Sequence, residues 1–389
     1  MRMLNYILVL CVVLLSVACN KENIAPGGDD SNVVLPEGGP YIYLDAIVKN
    51  QTRGTLIEGN ELQDNFGVYG FTYNFTNRWS TYRVTATPNV FKNDNDEFIA
   101  PQEVEYKDGI YSYTPVQTWS GGKYTFFAYY PFEHQSIETS PIDVEGTPWI
   151  KYAPVNFLTS TEGHIDVMTA MFEDTSLSSS QYVNFDFKHC LSAIDVVALN
   201  FYEYNHEGVG GSVATEKIEI EITDLNIAFN NLDYKAATFY LDNSIPSVPT
   251  PIASGDPKPS YNILSGGSKR IEYSTTSEFQ HIDRSKTLLV IPQTDEDLEV
   301  TTTVAFKKKR DDGTYLSDIP DEAVLNKDYM IQDGVMTYMS SKTTEFGQAL
   351  KAGSRYFIQI TFTSAAVSIN ILTSAEWEEL AEDVRHEIE

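Results

Sequence analysis

The chain has 389 residues, with 55 acidic against 27 basic side chains and a formal charge of −28. A surface this acidic repels phosphate backbones and disfavours nucleic acid as a partner. The length exceeds what one small core organises and suits two domains.

Taken in order, the chain opens with Arg2, an apolar run from Tyr6 to Val17, the pair Ala18-Cys19, and an abrupt polar turn at Asn20-Lys21-Glu22. The run is shorter than the roughly 20 residues that span a bilayer. It has the charge, apolar centre and small-residue exit of a secretory signal. Leu15-Ser16-Val17-Ala18-Cys19 also resembles a bacterial lipobox, with Ser16 where Leu is usual. Residues 1–18 are therefore expected to be a lipoprotein signal peptide, Cys19 the lipidated residue, and the outer membrane the surface that the lipid enters. With Cys11 in the signal and Cys19 carrying the lipid, Cys190 is left alone, which excludes an intrachain disulfide and a cysteine zinc site.

Residues 19–40, with Pro26-Gly27-Gly28 and Pro36-Glu37-Gly38-Gly39-Pro40, read as a flexible tether. Tyr41 to Val48 reads as the first strand. The loop Lys49-Asn50-Gln51-Thr52-Arg53-Gly54-Thr55 follows and is accessible to cleavage. Phe66 to Tyr73 alternates weakly and is expected as a strand. Tyr124 to Tyr130 is a nearly continuous aromatic strand, buried on both faces and stopped by Pro131. Tyr182 to Phe187 places Val183, Phe185 and Phe187 on one face, and another strand runs from Ala193 to about Phe201. Ile218 to Ile222 is the clearest period-two pattern. Residues 244–260 hold five prolines and are expected to form a long loop. Leu288 to Ile291 reads as a buried strand ended by Pro292. Leu298 to Phe306 alternates ahead of a turn at Asp311-Asp312-Gly313-Thr314, and Phe357 to Phe362 pairs with Val367 to Leu372.

With 24 Tyr and 20 Phe, many short strands and no fixed-period repeat, the pattern argues for β-sandwiches. The exception is the C-terminus. Thr373-Ser374-Ala375-Glu376 fits a capping box, and Trp377, Leu380, Ala381, Val384 and Ile388 share one helical stripe, so a short terminal helix is expected.

Motifs for catalysis are sparse. The six histidines, His134, His164, His189, His206, His281 and His386, show no helical metal-ligand spacing. There is no nucleophile elbow. Gly208-Val209-Gly210-Gly211-Ser212 lacks the third glycine of a dinucleotide loop. Asp94, Asp96 and Glu97 offer oxygen ligands, but the glycine of the ordered calcium loop is missing, and the stretch reads as a solvated loop. The only basic run, Lys307-Lys308-Lys309-Arg310, reads as a charged hairpin tip. Trp79, Trp119 and Trp149 could stack on sugars, though Trp near strands more often packs in a core. No catalytic residue, metal or cofactor is expected.

Several segments together resemble the fimbrillin-like proteins, pilus subunits of the Bacteroidales. These are the lipobox and tether, the first strand with Thr52-Arg53-Gly54-Thr55, the Phe66-Gly67-Val68-Tyr69 strand, and Trp119 through Tyr124-Thr125-Phe126-Phe127-Ala128-Tyr129-Tyr130-Pro131. They continue with Asp166-Val167-Met168, Val183 to His189 with Leu191-Ser192, and Leu288-Leu289-Val290-Ile291-Pro292-Gln293.

The resemblance implies an all-β protein of two tandem transthyretin-like β-sandwich domains, here residues 41–188 and 189–389. It implies export as a lipoprotein and no enzymatic activity. It also implies cleavage by a trypsin-like protease in the loop after the first strand, between Arg53 and Gly54. The displaced strand would carry Tyr41, Tyr43, Leu44, Ile47 and Val48, and a strand from the next subunit would fill the groove. Expected partners are other pilus subunits, the outer membrane through the lipid, and a host surface protein or glycan. The acidic end after Trp377 does not resemble a donor strand, which disfavours a stalk position and leaves tip and anchor positions open. The alternative function is a monomeric surface lipoprotein that binds glycans.

Overall fold

The computed structural model describes residues 40–48, 62, 64–140, 147–161, 164–177, 182–207, 211–276, 278–294, 296–316, 329–332 and 335–374. The signal peptide, Cys19, most of the tether, Arg53 and Gly54 lie outside the described residues.

In chain order the first five strands are β1 (Tyr43–Val48), β2 (Phe66–Tyr73), β3 (Gln102–Lys107), β4 (Ile110–Ser112) and β5 (Lys123–Tyr130). After β6 (Ile137–Ser140) and β7 (Trp149–Tyr152) come β8 (Met168–Thr175) and β9 (Tyr182–His189). A seven-stranded sheet forms in the order β1-β9-β8-β5-β2-β3-β4. At its centre β5 is buried at every position from Tyr124 to Tyr129, as the aromatic run predicts.

The weak alternation of β2 has a packing cause. A Cβ on Gly67 would lie 2.3 Å from the Tyr129 ring, and one on Gly70 would lie 2.8 Å from both Phe91 and Val90. These glycines keep the backbone open where neighbouring side chains cross it.

The second half begins with β10 (Ser192–Phe201), the hairpin β11 (Glu203–Glu207) and β12 (Val213–Lys217), and β13 (Glu219–Phe229). Next are β14 (Tyr234–Tyr240), β15 (Val248–Pro251), β16 (Ser260–Leu264), β17 (Lys269–Ile271), β18 (Gln280–His281) and β19 (Leu288–Val290). The chain continues through β20 (Glu299–Lys309), β21 (Tyr329–Gln332), β22 (Val335–Glu345), β23 (Arg355–Thr363) and β24 (Val367–Ser374). One sheet runs β18-β10-β23-β24, with β19 also on β10. Another runs β16-β13-β20-β22-β21, with β17 on β13. A four-stranded sheet, β15-β14-β7-β6, joins strands from both halves of the chain.

Three expectations need correction. The proline-rich stretch 244–260 is not all loop, because Val248–Pro251 pairs with β14 at the edge of its sheet. An edge strand tolerates Pro249 and Pro251 because its outer side needs no ladder donor. Lys307 to Lys309 lead into the expected turn, with Lys309 bridged to Tyr315 and Arg310 N–H donating to the Thr314 carbonyl at 2.8 Å, but they are not a free charged tip. They end β20 inside its sheet, opposite Glu221, Ile220 and Glu219 of β13, and Lys308 Nζ lies 4.4 Å and 4.0 Å from the Tyr202 and Tyr338 ring centroids. Charge pairing and cation–π contact stabilise that end of the sheet. Finally, Thr373 and Ser374 close β24 instead of capping a helix. The remainder of the expected terminal helix, from residue 375 onward, lies outside the described residues.

Candidate functional site

The first strand lies at a sheet edge. It forms one end of the seven-stranded sheet and has a single long ladder, parallel to β9, from Tyr43 opposite Tyr182 to Val48 opposite Phe187. Among the described residues, its other side is held at the N-terminal end. Ile42 N–H donates to the Gln117 carbonyl at 2.9 Å, Trp119 N–H donates to the Pro40 carbonyl at 2.9 Å, and the Tyr113 hydroxyl donates to the Ile42 carbonyl at 2.9 Å. Burial pushes the Tyr113 phenol up, so it remains a donor.

Sequence alternation decides which side chains fill the core. Ile42, Leu44, Ala46 and Val48 are 1%, 6%, 1% and 1% exposed, while Asp45 faces outward. Of the residues expected on this strand, Leu44 and Val48 therefore point inward. Ile47 is 39% exposed, and Tyr41 and Tyr43 are half-buried on the outer side. Tyr43 stacks on Tyr182 at 5.1 Å, and burial, followed by the neighbouring Tyr182 and Tyr41, raises its phenol. Ile42 and Ala46 were missed as core positions, although the period of two with Asp45 facing out marks them.

The inward side chains complete a core with Phe66, Val68, Phe91, Val104, Trp119 and Phe126 from the rest of the sheet and its loops. Burying three branched aliphatic side chains contributes on the order of 5 kcal/mol as an upper estimate.

The other residues singled out by sequence serve the scaffold. His189 Nδ1 lies 2.9 Å from Asp166 Oδ1, both buried. Gln293 is buried, accepts from Asp233 N–H at 2.9 Å and donates to the Ile291 carbonyl at 2.7 Å. Trp79 and Trp119 are core residues at 1% and 6% exposure, so neither offers a face to a sugar, and Trp149 is partly buried in β7. Lys92 binds Asp96 at 2.6 Å, and the Asn93 amide donates to Glu97 at 3.0 Å, so the acidic loop is internally bonded. Cys190 is buried, and burial pushes its thiol up to about 12. Among the described residues no group of three or more His, Cys, Asp or Glu is placed to hold a metal ion, and no helix is long and apolar enough to cross a membrane.

The fold is thus all-β, with its first strand at a sheet edge over an apolar core. The fimbrillin-like family model matches residues 52–377, and the chain belongs to that family. It is similar in structure to a fimbrial protein from Bacteroides vulgatus, at 17% identity and a TM-score of 0.52, covering 87% of this chain and 99% of the other. It also matches a fimbrilin from Porphyromonas gingivalis, at 11% identity and a TM-score of 0.34, covering 86% of this chain and 97% of the other. A comparison with curated proteins found no match.

Proposed function

We propose that this chain is a non-enzymatic structural subunit of a cell-surface pilus, assembled by strand exchange at the β1 groove. The observation that carries this reading is the placement of β1, which fills a deep apolar groove yet is held by one continuous ladder at a sheet end. Residues 1–18 direct export and Cys19 takes the lipid that tethers the chain to the outer membrane. Cleavage between Arg53 and Gly54 frees the segment that carries Tyr41 to Val48. A strand from a neighbouring subunit then takes its place through main-chain hydrogen bonds and alternating side chains. A head-to-tail contact that does not close extends into a filament. Residues 41–188 and 189–389 act as two sandwich domains, and the β7–β14 ladder joins them.

The test is limited trypsin treatment of the purified full chain at subunit concentrations that permit assembly. Cleavage after Arg53, followed by release of the N-terminal fragment and appearance of oligomers resistant to cold detergent, supports the reading. Cleavage there with the fragment retained and the chain still monomeric contradicts it.

A further inference from the structure

We infer that Ala46 marks a notch in the β1 groove that fixes the register and composition of an incoming strand, a deeper reading that rests on the strand exchange proposed above. The basis is the pairing of sizes along β1 and β9. In this parallel ladder the inward partners are Leu44 with Val183, Ala46 with Phe185, and Val48 with Phe187. The smallest inward residue of β1 thus lies beside Phe185, while Leu44 lies beside Val183 and Val48 beside Phe187.

Phe185 has little room to yield. Its ring meets Phe66 at 5.7 Å and 77° and Phe187 at 6.2 Å, and Phe66 in turn meets Phe187 at 5.4 Å and 74°. All three rings are fully buried. Close-packed interiors resist added methylenes, so a branched side chain at the Ala46 position forces these rings off their rotamers.

β1 runs parallel to β9, and a strand that replaces it in that direction keeps the same register. At the inward positions it must present a branched apolar residue where Leu44 lies, a small one where Ala46 lies and a branched one where Val48 lies. A slip of two residues puts a bulky side chain against Phe185, and a slip of one turns the apolar set outward. The Tyr43–Tyr182 stack on the outer face adds a second mark that favours an aromatic residue just before the first branched position. The partner this groove fits is a strand of another subunit with that size order.

The experiment uses the full chain cut after Arg53 and synthetic peptides spanning residues 40–48, followed by native mass spectrometry. One peptide has the natural sequence and another carries Ala46→Leu. The expected result is exchange of the natural peptide at least tenfold faster or tighter than the A46L peptide. In a Phe185→Ala chain that preference should shrink to less than threefold. Should Phe185→Ala fail to fold, Phe185→Leu makes the same test with a smaller volume change. Equal exchange of both peptides into the natural chain overturns the notch while leaving strand exchange standing. Retention of the cut fragment against every peptide overturns strand exchange and the notch together.

Discussion

Asp166 Oδ1 and His189 Nδ1 lie 2.9 Å apart with both side chains inside the protein. Asp166 stands just before β8 and His189 ends β9, where Met168 is paired with His189 in the ladder. The contact ties the strand that receives β1 to its inner neighbour. Removing the carboxylate leaves a buried imidazole without that partner, so Asp166→Ala should cost about 1–3 kcal/mol. A urea titration should show a lower midpoint with an unchanged slope.

A second buried pair organises the other half. Arg355 of β23 donates to Asp195 of β10, and the Thr287 hydroxyl donates to the same aspartate. The side chains of the ion pair are 4% and 3% exposed. Arg355→Met leaves a buried carboxylate uncompensated and should destabilise by about 3–5 kcal/mol. The double variant Asp195→Leu with Arg355→Met should lose less than the single one, which a double-mutant comparison by chemical denaturation measures directly.

Gly67 offers a sharp test of packing across β2. Its Cβ position falls 2.3 Å from the Tyr129 ring, against which it pairs in the ladder. Gly67→Ala should lower stability by about 1–3 kcal/mol through overpacking, despite the better strand propensity of alanine. Gly121→Ala meets open space and should leave the melting temperature almost unchanged.

His164 should make folding sensitive to mild acid. Its ring stacks on Phe157 at 5.1 Å, meets Tyr261 at 5.4 Å, and accepts from Leu289 N–H through Nδ1 at 3.2 Å. Burial lowers its pKa from 6.5 to about 4, so the unfolded chain binds this proton more readily than the folded one. Its contribution is thus fully present above pH 6.5 and is lost as the pH falls toward 4. His164→Phe should flatten the pH dependence of unfolding between about pH 4 and 6.5 relative to the unchanged chain.

Much of the fold was legible because local chemistry agreed with global burial. Tyr182 to Phe187, Ile218 to Ile222 and Leu298 to Phe306 alternate in sequence and alternate in the structure. The aromatic run from Tyr124 to Tyr130 fixed a central strand without any alternation. The edge strand at Val248–Pro251 was hidden, because prolines signal a loop until a partner such as β14 supplies one-sided pairing. The parallel pairing of β10 with β23 was also out of reach, since Ala193 and Arg355 meet only through the tertiary fold. At the groove, the strand was legible, but the sequence did not say which of its residues face inward. Ile47 looks like a core residue, yet Asp45 sets the alternation that turns Ile47 outward and Ala46 inward.

The measurement that tests the central claim most directly is the intact mass and N-terminal sequence of the chain recovered from native filaments. Removal of β1 predicts a chain that begins at Gly54. A filament chain that retains Tyr41 to Val48 would mean that the groove keeps its own strand, and would contradict assembly by strand exchange at this site.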